Sequence, residues 1–348
     1  MHRTDIPQDI HDAFRDGMVI PAHPLALNAA RELDERRQRA LTRYYIDAGA
    51  GGVAVGVHTT QFAIRDCGLY RPVLAQAAQA AHDWATRPPM LIAGVAGQTD
   101  QAVTEARIAR DLGYHAVLLS LAALKGADED ALIAHCKAIA DEMPVIGFYL
   151  QPAVGGMPLP RSFWHRFAAI DNVIGIKAAP FNRYATLDVV NGVADAGAQE
   201  RVTLYTGNDD HIVLDLVVPF RTSVGDVHFV GGLLGHWSVW THSAVQMLDR
   251  IKQARGHDTI PRDLLALDSD VTACNAAFFD VANGFEGVIA GCHEVLRRQG
   301  LLEGRWCLDP TEDLGPGQAD AIDEVYARYQ ALSDDDFVAA NLDKWLDG

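Results

Sequence analysis

A chain of 348 residues, 49% of them hydrophobic, is long enough to bury one large core, and its even use of Ala, Val, Leu and Gly suggests an α/β domain of barrel size with an appendage. The formal net charge of −17 argues against a nucleic-acid partner, which would need a concentrated face of Lys and Arg. Five cysteines, Cys67, Cys136, Cys274, Cys292 and Cys307, form no CxxC pair, so neither a disulfide framework nor a zinc knuckle is indicated and a reducing cytoplasm is expected. The first residues lack the apolar core of a signal peptide and no apolar run reaches membrane-spanning length, so no membrane partner is expected.

Along the chain, short β-branched runs alternate with segments of helical period, the signature of parallel strands joined by crossover helices. The pattern predicts eight strands, over 18–21, 52–57, 90–95, 116–120, 145–149, 173–177, 202–206 and 227–231. Helices are predicted between them over 32–48, 71–84, 99–112, 128–141, 184–196 and 237–254. Gly113 suits a left-handed helix cap, and Pro144 ends another helix before the next strand. No strong dinucleotide fingerprint follows the first strand, so a closed (β/α)8 TIM barrel over 1–258 accounts for the pattern better than an open sheet. Beyond about Pro261 the strands stop, and 259–348 reads as a C-terminal helical extension with helical segments at 263–286, around Val295 and over 318–346. The charge run 333–336 reads as a solvated helix start, with carboxylates at the positive end of the dipole.

In such a barrel the chemistry sits at the C-terminal ends of the strands. Lys177 closes the apolar run 172–177, where an ammonium is costly unless it is deprotonated or faces a cleft. A desolvated amine is a nucleophile toward ketones; a lysine snorkelling from a strand end is the plain alternative. Tyr149 on the neighbouring strand is the candidate proton carrier. His58, Thr59 and Thr60 after the second strand and Asn208 after the seventh are candidate substrate contacts. Asp209 beside them is a further contact for substrate hydroxyls, although ordinary turn composition explains Asn208 and Asp209 equally well. Arg183, past the lysine strand, offers a planar fork for an anion, or is a surface arginine. His23 has no HxH partner, and His228, His236 and His242 are scattered, so no catalytic metal is expected.

The segment Pro144-Val-Ile-Gly-Phe-Tyr-Leu-Gln-Pro152 followed by Val173-Ile-Gly-Ile-Lys-Ala178 resembles the strand-five and strand-six signatures of the dihydrodipicolinate synthase/N-acetylneuraminate lyase family. The stretch from Gly94, helix 106–112 with Gly113, and Thr206-Gly-Asn-Asp209 are similar to that family's third-strand, third-helix and seventh-strand regions, and the likeness runs over roughly 19–254. It implies a class I aldolase in which Lys177 forms a Schiff base with the keto carbon of a 2-oxo acid such as pyruvate, Tyr149 transfers protons and the Gly207 backbone lines the pocket. The imine is its own electron sink, so no cofactor is implied. A homo-oligomer, tetramer or dimer, is implied as well.

Departures from that pattern narrow the reading. The family's Gly-Thr-Thr-Gly-Glu carboxylate loop reads here Gly56-Val-His-Thr-Thr-Gln61, and the arginine that holds a second carboxylate in the synthases is absent from 153–156. A true dihydrodipicolinate synthase is therefore disfavoured. The neighbour-subunit tyrosine has no counterpart in 120–125, and one extra residue separates Pro144 from Tyr149, so a second registration puts Phe148 in the tyrosine's place. Carbon–carbon cleavage or formation is the expected reaction. Dehydration or hydration–aldol chemistry on a deoxy-sugar acid, and a ligand-binding barrel without turnover, are the alternatives.

Overall fold

The computed structural model describes residues 1–347. Eight parallel strands form the barrel: β1 (Val19–Pro21), β2 (Gly52–Val55), β3 (Met90–Val95), β4 (Ala116–Leu119), β5 (Val145–Leu150), β6 (Val173–Ala179), β7 (Thr203–Thr206) and β8 (Phe229–Leu234). Hydrogen-bonded pairing runs from β2 in sequence to β8 and on to β1. A parallel bridge between Ala22 and Ala54, with the His23 N–H donating to the Ala54 carbonyl at 2.8 Å, brings the ring back to β2. The strands are buried on both faces, and so read as nearly unbroken apolar runs.

Two apolar clusters follow from that double burial. One fills the lumen with Ile20, Ile92, Leu118, Ile146, Phe148 and Leu233. The other lies between strands and helices and continues without a break into the C-terminal extension through Phe278, Val338 and Trp345. Helix Gln8–Asp16, which the strand–helix pattern did not predict, plugs the lumen from below: Ile10 and Phe14 on the helix, with Ile6 just before it, join the inner cluster. Phe14 stacks on Tyr205 with centroids 4.7 Å apart, and the Tyr205 hydroxyl donates to the Phe14 carbonyl at 2.7 Å.

Helices Arg161–Ala168 and Ile212–Val217 and a hairpin of Phe220–Thr222 with Gly225–Val227 were also not predicted. The hairpin takes Val227, so β8 begins later than the apolar pattern suggests. The extension holds helices Arg262–Phe278, Val288–Arg298, Gln318–Arg328 and Asp335–Leu346, so both long segments expected there are interrupted. The last helix packs on helix Glu35–Asp47, with Trp345 tilted 5.4 Å from Tyr44 and its indole N–H donating to Asp47 at 2.8 Å. The acidic run at its start is not uniformly solvated. Asp334 is buried and accepts from the Tyr44 hydroxyl at 2.7 Å, the His242 amide at 3.0 Å and the Gln299 amide at 2.7 Å, and burial raises its pKa despite those donors.

Candidate active site

A chamber lies at the C-terminal ends of the strands, beneath the C-terminal extension. Lys177 opens into it. Its Cα pairs in register with Phe148 on one side and Tyr205 on the other. Among the described residues its ammonium has no hydrogen-bonded or ion-paired partner, and Nζ rests 4.3 Å above the Phe148 ring. Burial pushes the Lys177 pKa down, and the negative field of Asp209 pulls it partly back. The reciprocal holds for Asp209. Desolvation raises its carboxyl, while Lys177 and the His236 N–H, which donates to Oδ1 at 3.0 Å, oppose the rise.

The Lys177 stem dictates its neighbour. A Cβ at position 207 would come within 2.6 Å of Lys177 Cε and 2.8 Å of Ala179 Cβ, so only glycine lets this backbone lie against the lysine. Gly207 thus lines the chamber.

Tyr149 does not reach the lysine. Successive side chains of a strand point to opposite faces. With Phe148 facing inward beside Lys177, Tyr149 faces the helical layer, where its ring lies 5.3 Å from Trp164 and its hydroxyl accepts from the Leu159 N–H at 3.1 Å. The registration with Phe148 in the chamber is the observed one. Tyr149→Phe is accordingly expected to change turnover by less than about twofold and to cost about 1 kcal/mol of stability through the lost hydrogen bond; kinetics and denaturant melts of the same preparation check both.

The loop after β2 divides its three candidates. His58 and Thr59 line the chamber; Thr60 does not. The Thr60 hydroxyl donates to the His23 carbonyl at 2.6 Å and accepts from the Gly56 and Val57 amides at 2.9 and 3.2 Å, which uses its full capacity to tie β1 to β2. The Thr59 hydroxyl donates to the Ala22 carbonyl at 2.8 Å. His58 has no hydrogen-bond partner among the described residues, and burial, with the nearby Lys177 charge, lowers its pKa to about 4. It is a neutral imidazole open to a ligand.

Asn208 and Arg183 are engaged elsewhere. The Asn208 carbonyl oxygen accepts from the Phe181 N–H at 3.1 Å, and its amide donates to Thr186 at 3.1 Å and Asp215 at 2.9 Å. Arg183 is ion-paired with the fully buried Asp215 and lies over the Phe220 ring. Both hold the loops after β6 and β7 in place, and neither lines the chamber. Residues not singled out in the sequence complete the lining: Gln151 after β5, Phe181 after β6, and Phe279, Phe285 and Val288 from the extension. Strand parity gives a signal for Leu150 and Phe148, but nothing local marks the extension residues.

Among the described residues no group of three His, Cys, Asp or Glu side chains is placed to hold a metal ion, and no helix is long and apolar enough to cross a membrane. Residues 16–232 match the profile of the Dihydrodipicolinate synthetase family. The chain is 26% identical over 199 residues to the 4-hydroxy-tetrahydrodipicolinate synthase of Halorhodospira halophila, covering 56% of this chain and 64% of that protein. It is 30% identical over 129 residues to the enzyme of that name from Alkaliphilus oremlandii, covering 36% and 42% of the two chains. These matches span less than two thirds of the curated relatives' length.

In fold the chain is similar to a prophage protein of the dihydrodipicolinic acid synthase family from E. coli K12 in complex with pyruvate, with a TM-score of 0.74 at 18% identity over 92% of this chain and 99% of that one. It is also similar to the N-acetylneuraminate lyase of Fusobacterium nucleatum, with a TM-score of 0.70 at 18% identity over 91% and 99%. Because the profile match runs from the entry to β1 into β8 of a barrel with this same architecture, the chain belongs to the dihydrodipicolinate synthetase family, whose members are lyases and aldolases.

Proposed function

We propose that this protein is a Schiff-base-forming aldolase of 2-oxo acids in which Lys177 is the nucleophile and Asp209 replaces tyrosine as the proton carrier. The observation that carries the reading is a buried lysine with no hydrogen-bonded or ion-paired partner among the described residues, facing a chamber at the C-terminal end of a barrel strand. Burial favours the neutral amine, whose lone pair adds to the keto carbon. Loss of water then leaves a protonated imine. That imine draws in the C3–C4 bonding pair as the C4 hydroxyl gives its proton to Asp209, releasing an aldehyde; the resulting enamine takes a proton at C3, and water frees pyruvate from the lysine.

Asp209 suits the role because it lines the same chamber as Lys177 and its carboxyl, raised by burial to about 7, is a stronger base than an exposed carboxylate and holds both protonation states near neutrality. His58 and Thr59 lie where a substrate carboxylate meets a neutral imidazole donor, and carboxylate binding there raises the His58 pKa. The stretch 153–156 supplies no arginine for a second carboxylate, so the reading disfavours dihydrodipicolinate synthesis. We place the enzyme in a reducing cytoplasm, its five thiols all free, as a homo-oligomer without a cofactor.

The test is intact-mass spectrometry after incubation with pyruvate and sodium borohydride. A reduced pyruvate adduct on Lys177 supports the reading; no adduct with pyruvate or longer 2-oxo acids overturns it. Phe148 in the tyrosine's place favours a second reading, a barrel that captures 2-oxo acids without turning them over. An adduct without any carbon–carbon cleavage or dehydration would select that second reading.

A further inference from the structure

We infer that the chamber takes a 2-oxo acid bearing an aryl or branched-alkyl group at C4, so that the aldehyde released or consumed is apolar; the inference rests on the imine reading above. Its polar groups, Lys177, Asp209, His58, Thr59 and Gln151, all come from the ends of barrel strands. The C-terminal extension contributes only carbon: Phe279, Phe285 and Val288. With Phe148, Leu150 and Phe181 these form an aromatic and aliphatic wall around whatever projects from the imine.

A polyhydroxylated chain placed there needs a partner for each hydroxyl, because an unpaired buried hydroxyl weakens binding. With the amine, carboxylate and imidazole committed to the reacting end, Gln151 alone remains with a side chain free of protein hydrogen bonds among the described residues. The arginines around the strand ends are spent. Arg183 holds Asp215, and Arg65 holds Glu105 at 2.9 Å and the Gly56 and Gly94 carbonyls.

The aromatic wall is held at a conformational cost. Phe181 and Phe285 have φ of 50° and 73°, a left-handed region that bulky side chains avoid. Their rings meet edge to face, 5.9 Å between centroids, one from the barrel and one from the extension, both half-buried at the chamber. Each is locked by its backbone. The Phe181 N–H donates to Asn208, and the Phe285 N–H donates to the Asp280 carbonyl at 3.0 Å in a loop whose Asp280 carboxylate also accepts from Asn283 and Gly287. Strain sustained from two elements to bring two rings together at the chamber that Lys177 also lines is accounted for by an apolar ligand group stacked against them.

In the cleavage direction, 4-hydroxy-4-phenyl-2-oxobutanoate condenses with Lys177 and loses water, the C3–C4 pair passes to C3, the C4 hydroxyl proton goes to Asp209, and benzaldehyde leaves. The enamine is protonated at C3, and water hydrolyses the imine to pyruvate. Oxidation states balance without a redox partner.

The experiment compares kcat/KM of the full chain for 4-hydroxy-4-phenyl-2-oxobutanoate and for 2-oxo-3-deoxygluconate, with pyruvate release as the readout and borohydride trapping of pyruvate run in parallel. The expected result is at least a 100-fold preference for the aryl substrate. Phe285→Asn, which relieves the left-handed strain and removes the ring, is expected to reduce that preference at least tenfold and to raise KM for the aryl substrate more than for pyruvate. A pyruvate adduct on Lys177 together with equal or better use of the sugar acid, or with no turnover of the aryl substrate, overturns this inference and leaves the imine reading standing. Absence of any adduct overturns both.

Discussion

Lys177→Ala is expected to abolish the borohydride-trapped adduct and to lower turnover by roughly four to six orders of magnitude, the scale of losing a covalent nucleophile. The methyl group of alanine can form no imine, and the chamber offers no second primary amine. Lys177→Arg is expected to be as inactive, since a guanidinium keeps its proton at any working pH. Single-turnover kinetics with intact-mass detection read both effects; an undiminished adduct in Lys177→Ala would remove this residue from the mechanism.

The same position bears on stability. Burial lowers the pKa of Lys177 below that of an unfolded lysine, so the unfolded chain binds this proton more tightly. The stability tied to this group is therefore complete above the unfolded pKa and lost as pH falls through the folded one. Lys177→Met is expected to melt no lower than the wild type at neutral pH, as when a functional group held against folding is removed.

Asp209→Asn is expected to lower turnover by about 10²- to 10⁴-fold, the range for a positioned acid–base group, while imine trapping persists. Its pH dependence separates catalysis from mere support. The Asp209 charge favours the protonated lysine, so its removal lowers the Lys177 pKa further and moves the midpoint of the trapping rate to lower pH. A turnover loss with no shift of that midpoint would mean that Asp209 only props the loop through the His236 amide.

Local pattern carried much of the fold. The run 90–95 is a strand at both of its predicted ends, and the helix expected from 99 starts there, because unbroken apolar runs and 3.6-residue periods are properties of adjacent residues. Helix Arg161–Ala168 escaped notice although Phe163, Trp164 and Phe167 follow Pro160 at helical spacing; eight residues are too few for a period to stand out. The extension's long helical segments were read through the breaks after Phe278 and Arg328.

The site was legible only in part. Lys177 was marked by position, since a barrel places the ends of its strands around one mouth, and Gly207 by the family resemblance. Tyr149 was misplaced because an added residue between Pro144 and the tyrosine moves a side chain to the other face of the strand, and only the pairing of Phe148 with Lys177 decides the parity. Thr60, Asn208 and Arg183 carry the right chemical groups, but partners 22 or more residues away in the chain had already claimed them.

By itself the sequence determined the barrel, the extension and a lysine at a strand end, because hydrophobic period and turn chemistry act between near neighbours. Tertiary structure alone decided that Asp209 faces the lysine while Tyr149 does not, and that Phe279 and Phe285 close the chamber from more than 100 residues along the chain. Desolvation and packing depend on every atom nearby, whichever part of the chain supplies it.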